Sequence, residues 1–310
     1  MQIHPQFNPV LLDLPGPLAV NWYGLSYLAA FLAAYLLATW RAKMRPDFGG
    51  EAVPDLVFYG ALGVILGGRI GYVLLYQFGA FLDNPLYLFR AWEGGMSFHG
   101  GFLGVVVAMF FWARKYQKTA FQTLDFIAPC VPLGIGFGRL GNYINGELWG
   151  RVSDGGYAWL TGFPQASRFD AELIASDPAY YQLAELAQTK GGELMMLLPR
   201  HPSMLYEAFF EGLVLFVVLW VFSAKPRPRF AVSAVFLLGY GTARFCIEFF
   251  RQPDFDQGFV LLGWLTKGQL YSLPMIGFGL YLLWLAYHKN IYDWGRAATP
   301  NTYTKKETSA

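Results

Sequence analysis

The sequence predicts an all-α membrane protein that crosses the bilayer seven times, and three observations support this fold class. Hydrophobic residues make up 55% of the 310 residues and charged residues only 14%, whereas an ordinary soluble domain has about 25% charged residues. Several apolar runs reach the length of about 20 residues that a helix needs to cross the hydrocarbon. Glycines and prolines lie among these runs and not in polar low-complexity tracts, which excludes a disordered or collagen-like chain.

Seven apolar segments are the predicted spans of a single integral membrane domain covering residues 1–310. They are approximately residues 18–40, 56–78, 95–112, 124–140, 203–222, 230–250 and 270–287. The fourth segment is short and contains Pro129 and Pro132. We therefore predict that this helix is kinked or broken and buried among its neighbours.

The distribution of basic residues predicts the orientation of the chain. Residues 1–40 contain no lysine or arginine, whereas three basic residues lie within 41–45. Because cytoplasmic loops carry the excess of basic residues, the N-terminus is predicted to lie outside and the tail 289–310 in the cytoplasm. The loop 141–202 between the fourth and fifth spans then forms a small extracytoplasmic cap, with one or two helical turns expected within 178–187.

Polar residues at membrane depth carry most of the functional information. An ionisable side chain within the hydrocarbon costs roughly 2.5 to 3.5 kcal/mol, so such residues mark functional sites by default. With a rise of about 1.5 Å per residue, Arg244 lies about 21 Å from the inner end of the sixth span. The predicted topology brings polar residues of six spans to the outer half of the bilayer, namely Tyr23, Arg69, His99, Arg139, Asn142, Tyr206, Glu207, Glu211 and Arg244. We expect a polar cavity there.

Structural roles compete with functional ones at several of these positions. Arg244 and Glu248 are four residues apart and could simply neutralise each other. Arg69 lies in a run of glycines that allows close helix approach, so a packing or interhelical pairing role is equally consistent. A single His99 is more typical of an interfacial histidine, and Tyr23 is consistent with the aromatic belt of a membrane protein.

The two arginines predicted at membrane depth favour a phosphate ligand. Arg139 and Arg244 each present a permanent charge and a planar fork of donors, which suits phosphate better than the mobile point charge of lysine does. An anionic phospholipid headgroup is the expected ligand in that leaflet. The net charge of +2 gives no field strong enough for nucleic acid. No metal or nucleotide motif occurs in a suitable context, so we expect no cofactor and no metal.

Three segments carry specific motifs. Residues 138–147 read GRLGNYINGE, residues 94–101 read GGMSFHGG, and residues 200–207 read RHPSMLYE. With these motifs the sequence resembles the prolipoprotein diacylglyceryl transferase family, from which it departs at Tyr143, where phenylalanine is expected, and at Met204, where glutamine is usual. The resemblance extends over essentially all the predicted spans.

The resemblance implies an activity and a location. Members of this family transfer the sn-1,2-diacylglyceryl group of phosphatidylglycerol to the lipobox cysteine thiol of a prolipoprotein signal peptide, the first step of lipoprotein maturation. A thioether forms and glycerol 1-phosphate leaves. The resemblance therefore implies a multi-pass protein of the bacterial cytoplasmic (inner) membrane, in contact with membrane lipids, with an active site toward the extracytoplasmic leaflet.

The resemblance also implies which residues act on the phosphate. Arg139 and Arg244 are expected to bind the phosphate and to stabilise the leaving group. Glu248 is expected to orient Arg244. Arg251 fits the same motif of the sixth span and is expected to contribute to phosphatidylglycerol binding.

Further roles follow for the headgroup and the thiol. Tyr23, Asn142 and Glu147 are expected to position the lipid headgroup, with Tyr23 lying in the segment 21–24 (NWYG) that fits the first span. A cysteine thiol has a pKa of about 8.5, so a group must accept its proton at neutral pH. His99 is the leading candidate for this base.

Two other classes of protein stay open at the level of sequence. A small-anion transporter or channel would also gather arginines at depth, but it needs access from the inner side, where Asp125 is the only predicted ionisable group within a span. A CDP-alcohol phosphatidyltransferase needs an aspartate-rich metal motif, and the sequence contains none.

Overall fold

A computed structural model describes residues 1–14, 19–49, 51–90, 94–253 and 258–294, apart from the side chains of Pro46, Phe98 and His99. The described part of the chain is mostly helical. It divides into two compact units. Unit 1 comprises Met1–Ala30, Pro129–Lys225 and Ala234–Leu285, and unit 2 comprises Phe31–Ala128, Pro226–Ser233 and Ala286–Ala310.

The helices follow the predicted apolar segments. In chain order they are α1 (Trp22–Ala42), α2 (Ala52–Tyr76), α3 (Phe78–Asp83), α4 (Phe98–Lys115), α5 (Ala120–Ile127), α6 (Pro132–Asn145), α7 (Ser167–Ser176), α8 (Pro178–Leu183), α9 (Ser203–Glu207), α10 (Leu215–Phe222), α11 (Ala231–Ile247) and α12 (Lys267–Lys289). A π-helical segment, Ala208–Val214, joins α9 to α10.

Short strands correct the prediction of an all-α protein. They are β1 (Gln2–Ile3), β2 (Val10–Asp13), β3 (Ala19–Asn21), β4 (Thr161–Gly162), β5 (Glu185–Gln188) and β6 (Leu194–Leu197). β1 pairs with β4 in parallel, whereas β2 pairs with β3 and β5 with β6 in antiparallel orientation. Each strand has at most four residues, which is too short for an alternating pattern to be recognised in the sequence.

Strand pairing moves one predicted boundary. The first span was expected to begin at about residue 18, but Ala19–Asn21 pairs with β2 and α1 begins at Trp22. The one or two helical turns expected within 178–187 are confirmed by α8, which ends at Leu183 before Glu185 begins to pair with β6.

Four helical segments are long and apolar enough to cross a membrane, namely Trp22–Ala42, Ala52–Tyr76, Ser203–Phe222 and Lys267–Lys289. The pair Ala120–Cys130 and Pro132–Asn145 is a fifth if it is counted as one broken span, and this break was predicted from the prolines. Helix α4 and the shorter apolar α11 overlap the other two predicted segments. The chain is a multi-pass membrane protein, and its seven spans stay a prediction.

Glycines bring α2 and α4 of unit 2 into backbone contact. A methyl group added at Gly67 would lie 2.3 Å from the carbonyl oxygen of Gly100, and one added at Gly104 would lie 2.2 Å from that of Gly63. Helices approach this closely only where both lack side chains, as in small-residue packing of membrane helices. The close approach expected from the glycines of α2 is confirmed.

Arg69 has a structural role in unit 2. This side chain is buried, and its guanidinium donates to the carbonyl oxygens of Tyr87 at 2.6 Å, Leu88 at 3.0 Å and Gly94 at 2.6 Å. Backbone carbonyls of the connection between α2 and α4 therefore satisfy the donors of Arg69. The sequence left open whether Arg69 has a functional role or a packing role, and these contacts support the packing role.

Asp125 anchors the start of α11 within unit 2. Its carboxylate accepts hydrogen bonds from the backbone N–H of Phe230 at 2.7 Å and of Ser233 at 2.8 Å. The first N–H groups of a helix have no partner within the helix, and a carboxylate there satisfies them and the helix dipole. The one ionisable group predicted within a span on the inner side is thus accounted for by capping.

We predict that Gly67→Ala destabilises the protein by about 1 to 3 kcal/mol, because α2 and α4 must separate to admit the methyl group. The matched control is Gly60→Ala on the same helix, where the methyl group would lie 3.7 Å from Met109 Cε, an ordinary contact. The control is expected to be neutral or slightly stabilising. Thermal unfolding of both purified variants in one detergent tests this difference, and equal melting temperatures would contradict the backbone contact.

Candidate active site

A close contact between α6 and the segment Ala208–Val214 brings two charged residues of unit 1, Arg139 and Glu211, together. A methyl group added at Gly212 would lie 2.8 Å from the Cα of Gly136, so the two backbones touch. Arg139 follows Gly136 by one helical turn, and Glu211 precedes Gly212. Arg139 Nη2 consequently donates to Glu211 Oε2 at 3.4 Å. The segment of Glu211 is π-helical, a rare conformation that occurs frequently at functional sites.

Glu207 is the shared partner of three arginines. Its Oε2 lies 3.2 Å from Arg139 Nη1, and its Oε1 accepts hydrogen bonds from Arg244 and, at 3.2 Å, from Arg251 Nη1. These arginines come from α6, from α11 and from the turn after α11. Glu207 itself is fully buried. A single carboxylate thus holds three guanidinium groups in one place.

Glu248 pairs with Arg244, as their spacing of four residues suggested. Glu248 Oε2 lies 2.7 Å from Arg244 Nη2, and Glu248 Oε1 accepts a hydrogen bond from Thr266 Oγ1 at 2.9 Å. A methyl group added at Gly268 would lie 2.7 Å from the carboxylate carbon of Glu248, so the first residues of α12 pack directly against it. The ion pair is thus present, and the orienting role that the resemblance implied for Glu248 stays a prediction.

The arginine cluster consists of Arg139, Arg244 and Arg251 with their partners Glu207, Glu211 and Glu248. Its three positive and three negative formal charges sum to zero. The side chains of Arg139 and Arg244 are 18% and 16% exposed, whereas Glu207 and Glu211 are 0% exposed. The side chains of the two arginines are therefore more exposed than those of the two glutamates that pair with them.

A second polar group surrounds the C-terminal end of α6. Asn142 lies one turn after Arg139 and donates to Glu147 Oε1 at 3.0 Å. The helix ends at Gly146, whose φ of +66° reverses the chain and returns Glu147 toward the helix. The hydroxyl of Tyr23, on α1, interacts with the Asn142 side chain. Tyr23, Asn142 and Glu147, which the sequence predicted together, are in contact.

The loop 141–202 is attached to the end of α11. The backbone N–H of Gly150 donates to the carbonyl oxygen of His201 at 2.8 Å, and the backbone N–H of Arg151 donates to the carbonyl oxygen of Phe250 at 2.8 Å. The Arg151 guanidinium also donates to the carbonyl oxygen of Arg251 at 3.0 Å. A methyl group at Gly150 would lie 2.4 Å from two of these carbonyl oxygens, so only glycine fits. The loop therefore fixes the backbone of an arginine of the cluster.

A buried ion pair holds this loop together. Arg200 donates to Asp170 Oδ1 at 2.5 and 2.9 Å and to the carbonyl oxygen of Gly150 at 3.0 Å, and both charged side chains are fully buried. The next residue, His201, lies 3.0 Å from the hydroxyl of Tyr206 through Nδ1. Burial lowers the pKa of His201, which favours its neutral form.

The predicted site residues fall into three groups. Arg139, Arg244, Glu248 and Arg251 belong to the arginine cluster, and the Tyr23 group shares α6 with Arg139. The backbone of His99 lies in the first turn of α4, within unit 2, and its side chain lies outside the described residues. The structure therefore brings together the residues of each of the first two groups, and the roles predicted for them and for His99 stay predictions.

Sequence reasoning placed Glu207 and Glu211 near the outer surface but gave them no role. Both are fully buried partners of the arginines. Their sequence signal was available, because two carboxylates four residues apart within an apolar span are costly unless cations face them. Arg139 and Arg251, which had no assigned counter-charge, pointed in the same direction.

Comparisons of the sequence with known proteins identify the family of this chain. Residues 9–285 match the family model described as prolipoprotein diacylglyceryl transferase. The chain belongs to this family. It is 65% identical to the phosphatidylglycerol--prolipoprotein diacylglyceryl transferase of Psychrobacter arcticus over 96% of this chain and 99% of that protein. It is 57% identical to that of Acinetobacter baumannii over 95% and 98%, and 55% identical to that of Acinetobacter baylyi over 96% and 99%.

Family membership confirms the resemblance inferred from the three motifs. The chain is accordingly an enzyme of the transferase class, built from apolar helices that suit a membrane protein. The match covers α1 to most of α12, so it includes both polar groups of unit 1.

We predict that Glu207→Gln lowers the free energy of unfolding by about 3 to 5 kcal/mol, because three buried or half-buried cations lose their shared carboxylate. The matched control is Glu172→Gln, which removes an exposed carboxylate 3.7 Å from Arg168 and is expected to change stability by less than about 1 kcal/mol. Thermal unfolding in detergent compares the two variants. A loss at Glu207 no larger than that at Glu172 would refute the central role of Glu207.

Proposed function

We propose that the chain transfers the sn-1,2-diacylglyceryl group from phosphatidylglycerol to the cysteine thiol of a prolipoprotein signal peptide. A thioether forms and glycerol 1-phosphate is released. Family membership and the names of the relatives, which contain both phosphatidylglycerol and prolipoprotein, support this reaction. The observation that carries the proposal is the set of three arginines gathered around the buried Glu207 within apolar helices.

Arg139 and Arg244 bind the phosphodiester in this proposal. A guanidinium has five N–H donors, and the contacts of Arg139 to Glu207 and Glu211 involve only Nη1 and Nη2. Donors therefore remain for phosphate oxygens. As the bond to the glyceryl carbon breaks, negative charge develops on the departing phosphate, and fixed guanidinium groups in a site of low polarity stabilise it. Arg251 adds a third positive charge at the same carboxylate.

The remaining predicted residues position the lipid and activate the thiol. Tyr23, Asn142 and Glu147 offer a phenol, an amide and a carboxylate to the glycerol hydroxyls of the headgroup. Asn142 lies one turn from Arg139 along α6, which places this group beside the arginine cluster. The thiol must lose its proton before it attacks the glyceryl carbon, since the thiolate is the nucleophile. His99 is proposed as the base that accepts this proton.

The proposed topology places this chemistry in the extracytoplasmic leaflet of the bacterial inner membrane. The chain would cross the membrane seven times with its N-terminus outside and the tail 289–310 in the cytoplasm, as the basic residues favour. The loop 141–202 would then form the extracytoplasmic cap. Its hydrogen bonds to the end of α11 support a position beside the arginine cluster.

A label-transfer experiment tests the reaction. Purified protein is incubated with phosphatidylglycerol labelled in its acyl chains and with a lipobox peptide, and a peptide with Cys→Ser serves as control. We expect label on the cysteine peptide alone, together with release of glycerol phosphate. Label on neither peptide, combined with anion flux through proteoliposomes, would instead support the transporter alternative.

Two variants in the same assay test the residue roles. Arg139→Lys keeps the charge but loses the planar fork, so activity is expected to fall by about tenfold or more. Full activity would contradict recognition through the guanidinium fork.

His99→Gln removes the proposed base, and turnover within a few-fold of wild type between about pH 6 and 8 would exclude that role.

A further inference from the structure

Glu211 is the least satisfied charged group of the arginine cluster. Its side chain is fully buried, and its Oε2 has one long contact of 3.4 Å to Arg139. Among the described residues, one buried oxygen of each of Glu207, Glu211 and Glu248 has no hydrogen-bond partner, but those of Glu207 and Glu248 lie 3.2 and 2.7 Å from an arginine nitrogen, and Oε1 of Glu211 has no such ion pair. Glu207, one turn earlier on the same helix, has contacts to three arginines. An ionised carboxylate with one unsatisfied oxygen is costly to bury, and the neutral acid is much less so.

The charges of the cluster change their balance when a phosphodiester binds. With all three carboxylates ionised, the three arginines are already neutralised, and a bound phosphodiester leaves one excess negative charge in a buried site. With one carboxylate protonated, the cluster carries a charge of +1 and the same phosphodiester makes the complex neutral. Burial of a net charge is the more expensive state, so lipid binding favours uptake of a proton by the cluster.

We propose that Glu211 is the residue that takes up this proton, and thereby sets the charge of the arginine cluster to match its substrate. This inference rests on the proposed function, since it assumes that a phosphodiester occupies the cluster. Glu211 acts through the charge that Arg139 presents to the phosphate, so it is a positioning residue and not a group that attacks the substrate.

The surroundings of Glu211 single it out. Arg139 faces it from α6, Glu207 lies on its own helix, and Arg244 and Tyr240 face it from α11. Among the carboxylates, Glu207 is held ionised by three cations, and Glu248 receives a hydrogen bond from Thr266 in addition to its ion pair. Glu211 has the fewest interactions that stabilise a negative charge.

The proton balance of the reaction closes with this assignment. The carbon–sulfur bond forms, the bond between the glyceryl carbon and the phosphate oxygen breaks, and the departing phosphate keeps the electron pair and a second negative charge. The thiol proton goes to the base and then to solvent. The proton that Glu211 took up from solvent returns to solvent when the phosphate monoester leaves, which restores the carboxylate and the neutral cluster.

Calorimetry of the wild-type protein tests the proposal directly. Dioctanoyl phosphatidylglycerol is titrated into the detergent-solubilised protein in two buffers of different ionisation enthalpy, with dioctanoyl phosphatidylcholine as the control for unspecific partition. The expected result is uptake of about one proton per bound phosphatidylglycerol over part of the range between pH 6 and 9. Saturable binding with no uptake anywhere in that range would overturn the proposal.

A pair of matched variants assigns the proton to one residue. Glu211→Gln mimics the protonated state, so it should bind phosphatidylglycerol within about threefold of wild type at low pH and should lose the proton uptake and the pH dependence of KM. The matched control, Glu172→Gln, makes the same change at an exposed carboxylate outside the cluster and should keep both. A pH dependence that persists in Glu211→Gln, or that disappears equally in Glu172→Gln, would contradict the assignment.

The outcomes separate this inference from the proposed function. If phosphatidylglycerol neither binds saturably nor donates label to the peptide, the proposed function fails and the inference fails with it. If label transfer occurs and binding involves no proton uptake, only the role of Glu211 is wrong. The calorimetric result on the wild-type protein decides this even if Glu211→Gln does not fold.

Discussion

The structure of the site depends on one buried carboxylate, that of Glu207. Arg139, Arg244 and Arg251 come from three different parts of unit 1, and Glu207 contacts all of them. Three cations of like charge repel one another at these distances, and each would lose its hydration among apolar helices. A fully buried carboxylate between them offsets both costs. The three arginines can therefore be concentrated in one place because a protein anion already holds them, as the proposed binding of a lipid phosphate requires.

The absence of two side chains allows this ion cluster to form. Contact between Gly136 and Gly212 brings α6 against the π-helical segment, and the charged residues lie one turn and one residue from that contact. A larger residue at either position would separate the two backbones and with them Arg139 and Glu211. In unit 2, the glycines of α2 and α4 likewise allow two helix backbones to touch, but there the contact serves packing alone. Small residues in membrane helices thus serve both architecture and chemistry.

The sequence predicted the elements of the site better than the partners within it. Apolar length located the helices, the predicted topology put Arg139 and Asn142 at the outer end of the fourth span, and Glu147 was recognised only through the family motif. Glu207 escaped because its role depends on which helices pack together, which periodicity does not encode. Arg69 stayed ambiguous for the same reason, since its partners are backbone carbonyls of a connecting segment. Strands of two to four residues left no readable pattern.

The carboxylates also bear on how product leaves. A phosphate monoester carries more charge than the diester from which it forms, so a group of unpaired arginines would bind the product more tightly than the substrate. In the proposed function, Glu207 and Glu248, which already contact Arg244, compete with the phosphate for the N–H donors of that guanidinium. That competition weakens the binding of both lipid and product while it keeps the guanidinium groups in position before either arrives. A cluster that is neutral at rest is therefore suited to a site that must release a doubly charged product at every turnover.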